Sequence, residues 1–164
     1  MTEALAKCHV SLGFQVLQIC FAWCNVLNIA SPKRYNMITK VTHDIRVTVE
    51  TKFQELYSDP AKMYFLFTYK IKIENTGDYD VQLLRRNWNI VDSISEHRSV
   101  EGAGVVGQQP VLRPKEVYEY ESACNLKSEF GKMDGTYTFE RLVDGEEFSV
   151  SIPEFKMVVP FRLN

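Results

Sequence analysis

Glu101 to Pro114 reads E-G-A-G-V-V-G-Q-Q-P-V-L-R-P and holds three of the chain's eight glycines, Gly102, Gly104 and Gly107, at G-x-G-x-x-G spacing. Strand-like sequence flanks it on both sides. A dinucleotide-binding fingerprint of this spacing needs a helix directly after its glycines, whose N-terminal amides hold the pyrophosphate. Here Gln108-Gln109-Pro110-Val111-Leu112-Arg113-Pro114 follows instead. Pro110 and Pro114 would each remove a helix N–H and clash with the preceding turn. The carboxylate expected about 20 residues further on would have to be Glu119 or Glu121, both in strand-like sequence. No G-x-x-x-x-G-K-[ST] loop occurs either. The stretch is therefore a non-helical connection between strands. Two readings of its glycines remain open: a bend that uses positive φ or close approach, and an anion nest of successive N–H groups.

Working outward, the pattern is that of strands. Ile45, Val47 and Val49 alternate with Arg46, Thr48 and Glu50 over Asp44–Phe53, the period of a strand buried on one face. Met63–Glu74 carries a second row, Phe65, Phe67, Tyr69, Ile71 and Ile73. Asn75-Thr76-Gly77-Asp78 is turn chemistry with a glycine available for positive φ. Further strands are expected at Val81–Asp92, Ser95–Glu101, Val117–Cys124, Thr136–Leu142, Glu147–Ile152 and Phe155–Phe161. Asp144-Gly145 marks a hairpin between two of them. Strands at near ten-residue intervals, separated by Gly, Pro, Asn and Asp, predict an all-β, immunoglobulin- or fibronectin-type sandwich. The Trp and disulfide mark of antibody domains is missing, so the expectation is a disulfide-free sandwich.

Charge and cysteines narrow the partners. A formal charge of −2, with Lys and Arg scattered, gives no footprint for nucleic acid and no polybasic membrane patch. Three of the four cysteines, Cys8, Cys20 and Cys24, lie within residues 1–36, leaving Cys124 alone in the rest. That distribution cannot staple a β domain and points to a reducing, cytoplasmic compartment.

Residues 1–36 form an N-terminal extension of different character. Val10 to Ala30 is mostly apolar, but Gln15, Gln18, Asn25 and Asn28 interrupt it, short of the ~20 apolar residues that a spanning helix needs. Met37 opens M-I-T-K-V-T, where strand patterning begins. The favoured expectation is that translation starts at Met37 and that the domain is 37–164. The alternatives are a helical appendage or a targeting segment.

Several stretches resemble the ApaG family: V-T-H-D-I-R-V-T-V-E-T at 41–51, V-Q-L-L-R-R-N-W at 81–88, V-E-G-A-G-V-V-G-Q-Q-P-V-L at 100–112, G-K-M-D-G-T-Y at 131–137 and I-P-E-F-K-M-V-V-P-F-R-L-N at 152–164. The resemblance covers about residues 38–164. It implies a fibronectin type III-like sandwich, a genetic link to cobalt resistance and magnesium efflux, and relatives that serve as interaction modules. It also implies that the glycine motif is a candidate pyrophosphate site. The family's Arg-His-Trp reads Arg86-Asn87-Trp88 here, so any ligand that the histidine held is lost.

Residue chemistry offers no reaction. Cys124 has no neighbour that would lower its pKa, His43 and His97 stand alone, and no metal-ligand spacing occurs. No cofactor and no metal are expected. Arg86 and Trp88 share one strand face. If Leu84 joins them inward, Arg86 pairs with Asp92 or Glu101 beneath a core Trp; otherwise the two form an exposed interaction surface beside the glycine loop. The leading expectation is a non-enzymatic module that binds a partner protein. The other is a binder or hydrolase of a phosphate-containing ligand that uses Gly102, Gly104 and Gly107 amides with Arg86 or Arg98.

Overall fold

The computed structural model describes residues 37–94 and 97–160. Expectations for residues 1–36, for Ser95 and Glu96, and for Phe161 onward lie outside the described residues. The described strands are β1 (Met37–Thr42), β2 (Ile45–Phe53), β3 (Phe65–Asn75), β4 (Val81–Asp92), β5 (Arg98–Ala103), β6 (Val111–Leu112), β7 (Val117–Leu126), β8 (Phe130–Arg141) and β9 (Glu146–Val158). One sheet has the order β1-β2-β3-β7; the other has β5-β4-β8-β9, with β6 pairing further along β4. Neighbouring strands run antiparallel. This is the sandwich that the alternation predicts, and among the described residues Cys124 is a free, buried thiol.

The core lies between the sheets. Ile45, Val47 and Val49 of β2 and Phe65, Phe67, Ile71 and Ile73 of β3 are all buried. Each fully buried aliphatic side chain contributes about 1.5–3 kcal/mol, so these rows fix which face points inward. Sheet crossings are tied by polar groups. The buried Asp92 carboxylate, at the end of β4, accepts the Lys127 N–H (2.6 Å) and the Ser128 hydroxyl at the end of β7.

Two bulges correct the expected pattern. The β4–β8 register slips between Leu83 and Arg85, so the inner row of β4 runs Val81, Leu83 and then Arg86, Trp88, Ile90. Leu84 is the extra residue and does not belong to the inner row. The second slip pairs Met133 with Phe155 but Gly135 with Ile152. Glu147–Ile152 and Phe155–Phe161, expected as separate strands, are therefore joined into one, β9. Pro153 sits at the bulge, the place where a strand tolerates a missing donor. β8 begins at Phe130, earlier than Thr136, because Gly131 and Gly135 break the alternation without breaking the strand. A Cβ at Gly135 would stand 2.2 Å from the Asn87 carbonyl oxygen.

Turns follow local chemistry. Asp144 and Gly145 donate their N–H groups to the Arg141 carbonyl, with Gly145 at φ +71°, which is the expected hairpin. Gly77, by contrast, does not have positive φ. Its value is room: a Cβ there would meet Asp44 Cβ at 3.2 Å.

Candidate functional site

The glycine loop is held down by the bulge in β4. The Leu84 carbonyl accepts the Gly104 N–H and the Gln109 side-chain amide, both at 2.8 Å. Val105 and Gln108 exchange N–H···O bonds in both directions (2.8 and 3.0 Å), closing a two-residue turn. Its central residues, Val106 and Gly107, lie at φ +49° and +75°, the twist that suits a tight hairpin. Val105 is fully buried, so the turn also plugs the core.

The three glycines thus serve three purposes. Gly107 supplies positive φ in open space. Gly104 combines φ +57° with a backbone approach that leaves only 2.0 Å between an added Cβ and the Gln108 oxygen. Gly102 makes room for Arg86, whose guanidinium atoms lie 3.0–3.2 Å from where its Cβ would be. The N–H groups of Gly104 and Val105 are taken up by backbone carbonyls, so they do not converge on an open point.

Arg86 does turn inward, but neither Asp92 nor Glu101 pairs with it. Its Nη1 donates to the Ala103 and Gly104 carbonyls (3.1 and 2.7 Å). Asp92 is taken by Lys127 and Ser128, and Glu101 accepts the Asn87 side-chain amide on the outer face (3.0 Å). Position 87 thus faces away from Arg86. Trp88 is 3% exposed and belongs to the core, not to an exposed interaction surface.

Arg86 borders a cleft of about 370 Å³ on the open side of the sandwich, where the edge strands β5 and β7 face each other. Two side-chain latches bridge the edges. Arg98 of β5 donates to the Asn125 carbonyl of β7 (2.7 Å) and lies 3.6 Å from Cys124 Sγ. At the other end, the Tyr118 hydroxyl donates to Gln108 Oε1 (3.1 Å). Tyr69, Trp88, Tyr120 and Met133 line the space between. Neither Arg86 nor Arg98 has a carboxylate partner among the described residues.

The cleft's electrostatics favour neutral side chains around a fixed charge. Burial raises the hydroxyl pKa values of Tyr69, Tyr120 and Tyr137, with the Arg86 charge opposing the rise at each. Tyr120 and Tyr137 share a 2.5 Å hydrogen bond. Burial likewise raises the Cys124 thiol, against the pull of Arg98. A thiol held protonated is a weak nucleophile, and neither His43 nor His97 lines this cleft.

Of the residues singled out in the sequence, the fold brings Arg86, Gly102 and Gly104 together, and places Arg98 at the far latch of the same cleft. Gly107 sits at the loop tip. Sequence reasoning missed the β7 row Tyr118, Tyr120, Ser122 and Cys124, although its two-residue alternation was a readable signal. A second hollow of about 240 Å³ lies at one end of the sandwich, by His43, Asp78 and Arg141, but Arg141 is already paired with Asp144 and Glu146. No group of three or more His, Cys, Asp or Glu among the described residues is placed to hold a metal ion. Among the described residues, no helix is long and apolar enough to cross a membrane.

Comparison with known proteins agrees with this architecture. The ApaG domain model matches residues 55–141. A protein named ApaG from Anaeromyxobacter dehalogenans is 46% identical over 128 residues, spanning 78% of this chain and 100% of the relative. One from Bdellovibrio bacteriovorus is 40% identical over 121 residues, 74% of this chain and 94% of the relative. A solved Bordetella pertussis protein bearing the name ApaA superposes with a TM-score of 0.69 at 39% identity, covering 71% of this chain and 94% of that one. The chain belongs to the ApaG family.

Proposed function

We propose that the protein is a non-catalytic, cytoplasmic binding module that receives a segment of a partner protein along its open β5–β7 edge. The observation that carries this reading is the pairing of two edge strands, each without a strand neighbour on that side, around a cleft that reaches the core. Unpaired edges are templates for an added strand, and apolar clefts with a few polar groups are binding sites. Support against catalysis is chemical. The cleft's thiol is held protonated, and no described histidine stands beside it as a base. The link to cobalt resistance and magnesium efflux would then act through the partner and not through an ion on this chain.

Photo-crosslinking tests this. A benzoylphenylalanine at Val100, on the cleft, should capture one discrete protein in the native host. The same group at Thr48, on the β2 face remote from the cleft, should not. Equal labelling from both positions, or none from Val100, overturns the proposal.

One observation favours a second reading, a pyrophosphate-containing ligand: the two arginines without carboxylates. Calorimetry with pyrophosphate and diadenosine polyphosphate separates the two. Under the leading proposal no binding heat is expected. A heat abolished in Arg86→Gln would instead establish the anion site.

A further inference from the structure

Arg86 is only part-exposed and projects from the inner row of β4, between Leu83 and Trp88. Two neutral carbonyls hold its Nη1, while Nε and Nη2 make no hydrogen bond among the described residues. A charge drawn into apolar surroundings normally has an anion beside it. No buried side-chain polar atom among the described residues lacks a partner, so the unbonded Nε and Nη2 edge of Arg86 is accessible from the cleft rather than sealed in the core. The Nε and Nη2 edge is the fork that accepts a carboxylate in two parallel hydrogen bonds.

The surroundings decide which anion. Tyr69, Trp88, Ile90 and Met133 line the cleft beside Arg86; its second cation, Arg98, is engaged at the far latch with the Asn125 carbonyl, and Glu121 adds a negative charge to the wall. A polyphosphate would press several charges against that apolar surface, at a desolvation cost. The loop amides that could have helped are taken up at Gly104 and Val105. A single carboxylate attached to an apolar side chain fits both halves of the site. The flanking edges add a direction. β7 runs from the Tyr118–Gln108 latch toward Asn125, so a strand that ends at Arg86 would run antiparallel to it.

We propose that the cleft captures the C-terminus of a partner polypeptide. The terminal carboxylate sits on the Nε and Nη2 edge of Arg86, the last apolar side chain lies over the floor by Trp88 and Tyr69, and the preceding residues add antiparallel to the β7 edge. This rests on the reading of the β5–β7 edge as the docking surface. It goes further in naming the end of the chain as what is recognised.

The test uses the full chain and a fluorescein-labelled pool of hexapeptides ending in Val, Leu, Ile or Phe, each as free acid and as C-terminal amide, read by polarisation. The free acids should bind at least ten-fold more tightly than the amides. Arg86→Gln should erase that difference, Arg86→Lys should restore part of it, and Val100→Asp at the cleft mouth should weaken binding without touching Arg86. Lys40→Gln, exposed on β1 at the opposite edge of the sheet, should change nothing. Equal binding of acid and amide overturns carboxylate capture and leaves edge docking standing. No peptide binding while the Val100 crosslink still forms overturns this inference alone. Failure of both removes the docking surface. A pyrophosphate heat that Arg86→Gln abolishes, with no free-acid peptide bound, would assign the site to a small anion and likewise overturn the inference.

Discussion

Gly104→Ala is expected to lower the stability of the domain by about 3 kcal/mol or more, the upper part of the range for forcing volume into a packed site. Two penalties add. The φ of +57° is one that side chains with a Cβ rarely adopt. The new carbon would also lie 2.0 Å from the Gln108 oxygen and 2.7 Å from its carbonyl carbon, so backbone and not a flexible side chain must move. Moving it breaks the exchange between Val105 and Gln108 and withdraws Val105 from the core. The other two glycines calibrate the effect. Gly107→Ala meets open space and should cost about 1 kcal/mol for its backbone conformation alone. Gly102→Ala meets only the end of Arg86, and should cost about 1–2 kcal/mol as the bonds to Ala103 and Gly104 are disturbed. Urea unfolding of the three variants measures the series. Equal losses at all three positions would refute the separate roles, as would a Gly104→Ala protein of ordinary stability.

This series also shows how much of the site was legible in the sequence. Pro110 and Pro114 were enough to reject the helix of a nucleotide fold, because proline's effect is local. Alternation at Ile45, Val47 and Val49 was enough to orient β2, because one buried face imposes it. The bulge at Leu84 left no mark in composition: a single extra residue shifts the inner row from odd to even positions, and only pairing with β8 reveals it. The sequence left Arg86 inward or exposed, with the inward reading tied to Leu84, which the bulge takes out of the inner row; its partners are carbonyls of a loop about 17 residues away, set by strand pairing and not by sequence. Glu147–Ile152 and Phe155–Phe161 were expected as separate strands, and the bulge at Pro153 that joins them depends on pairing with β8. The cleft was the least legible part, since its walls come from strands on two sheets. Each latch joins residues that have no sequence relation.

Trp88→Ala is expected to cost about 3–5 kcal/mol, the usual loss on emptying a buried aromatic site. Against a total stability of about 5–15 kcal/mol for a domain, that is a large fraction. The indole is 3% exposed and meets Tyr69, Tyr137 and Phe155 edge to face, at centroid distances of 5.5, 6.3 and 5.9 Å. These three rings come from β3, β8 and β9, so the truncation would loosen both sheets at once. Its six-membered ring also lies over Gly135, where an added Cβ would stand 3.2 Å from Cε3. Gly135, the position on β8 directly opposite Trp88, has no side chain to fill a hole left there. Circular dichroism during urea unfolding gives the measurement, since the variant loses the buried indole that would report on the core. An exposed binding residue would behave differently, leaving stability within about 0.5 kcal/mol while abolishing capture of a partner. Finding that pattern would overturn the core assignment. The expected pattern has the opposite consequence for binding studies. Loss of capture in Trp88→Ala would report unfolding, so recognition at the cleft has to be probed through Arg86 and Val100, whose side chains border the cleft without filling the core.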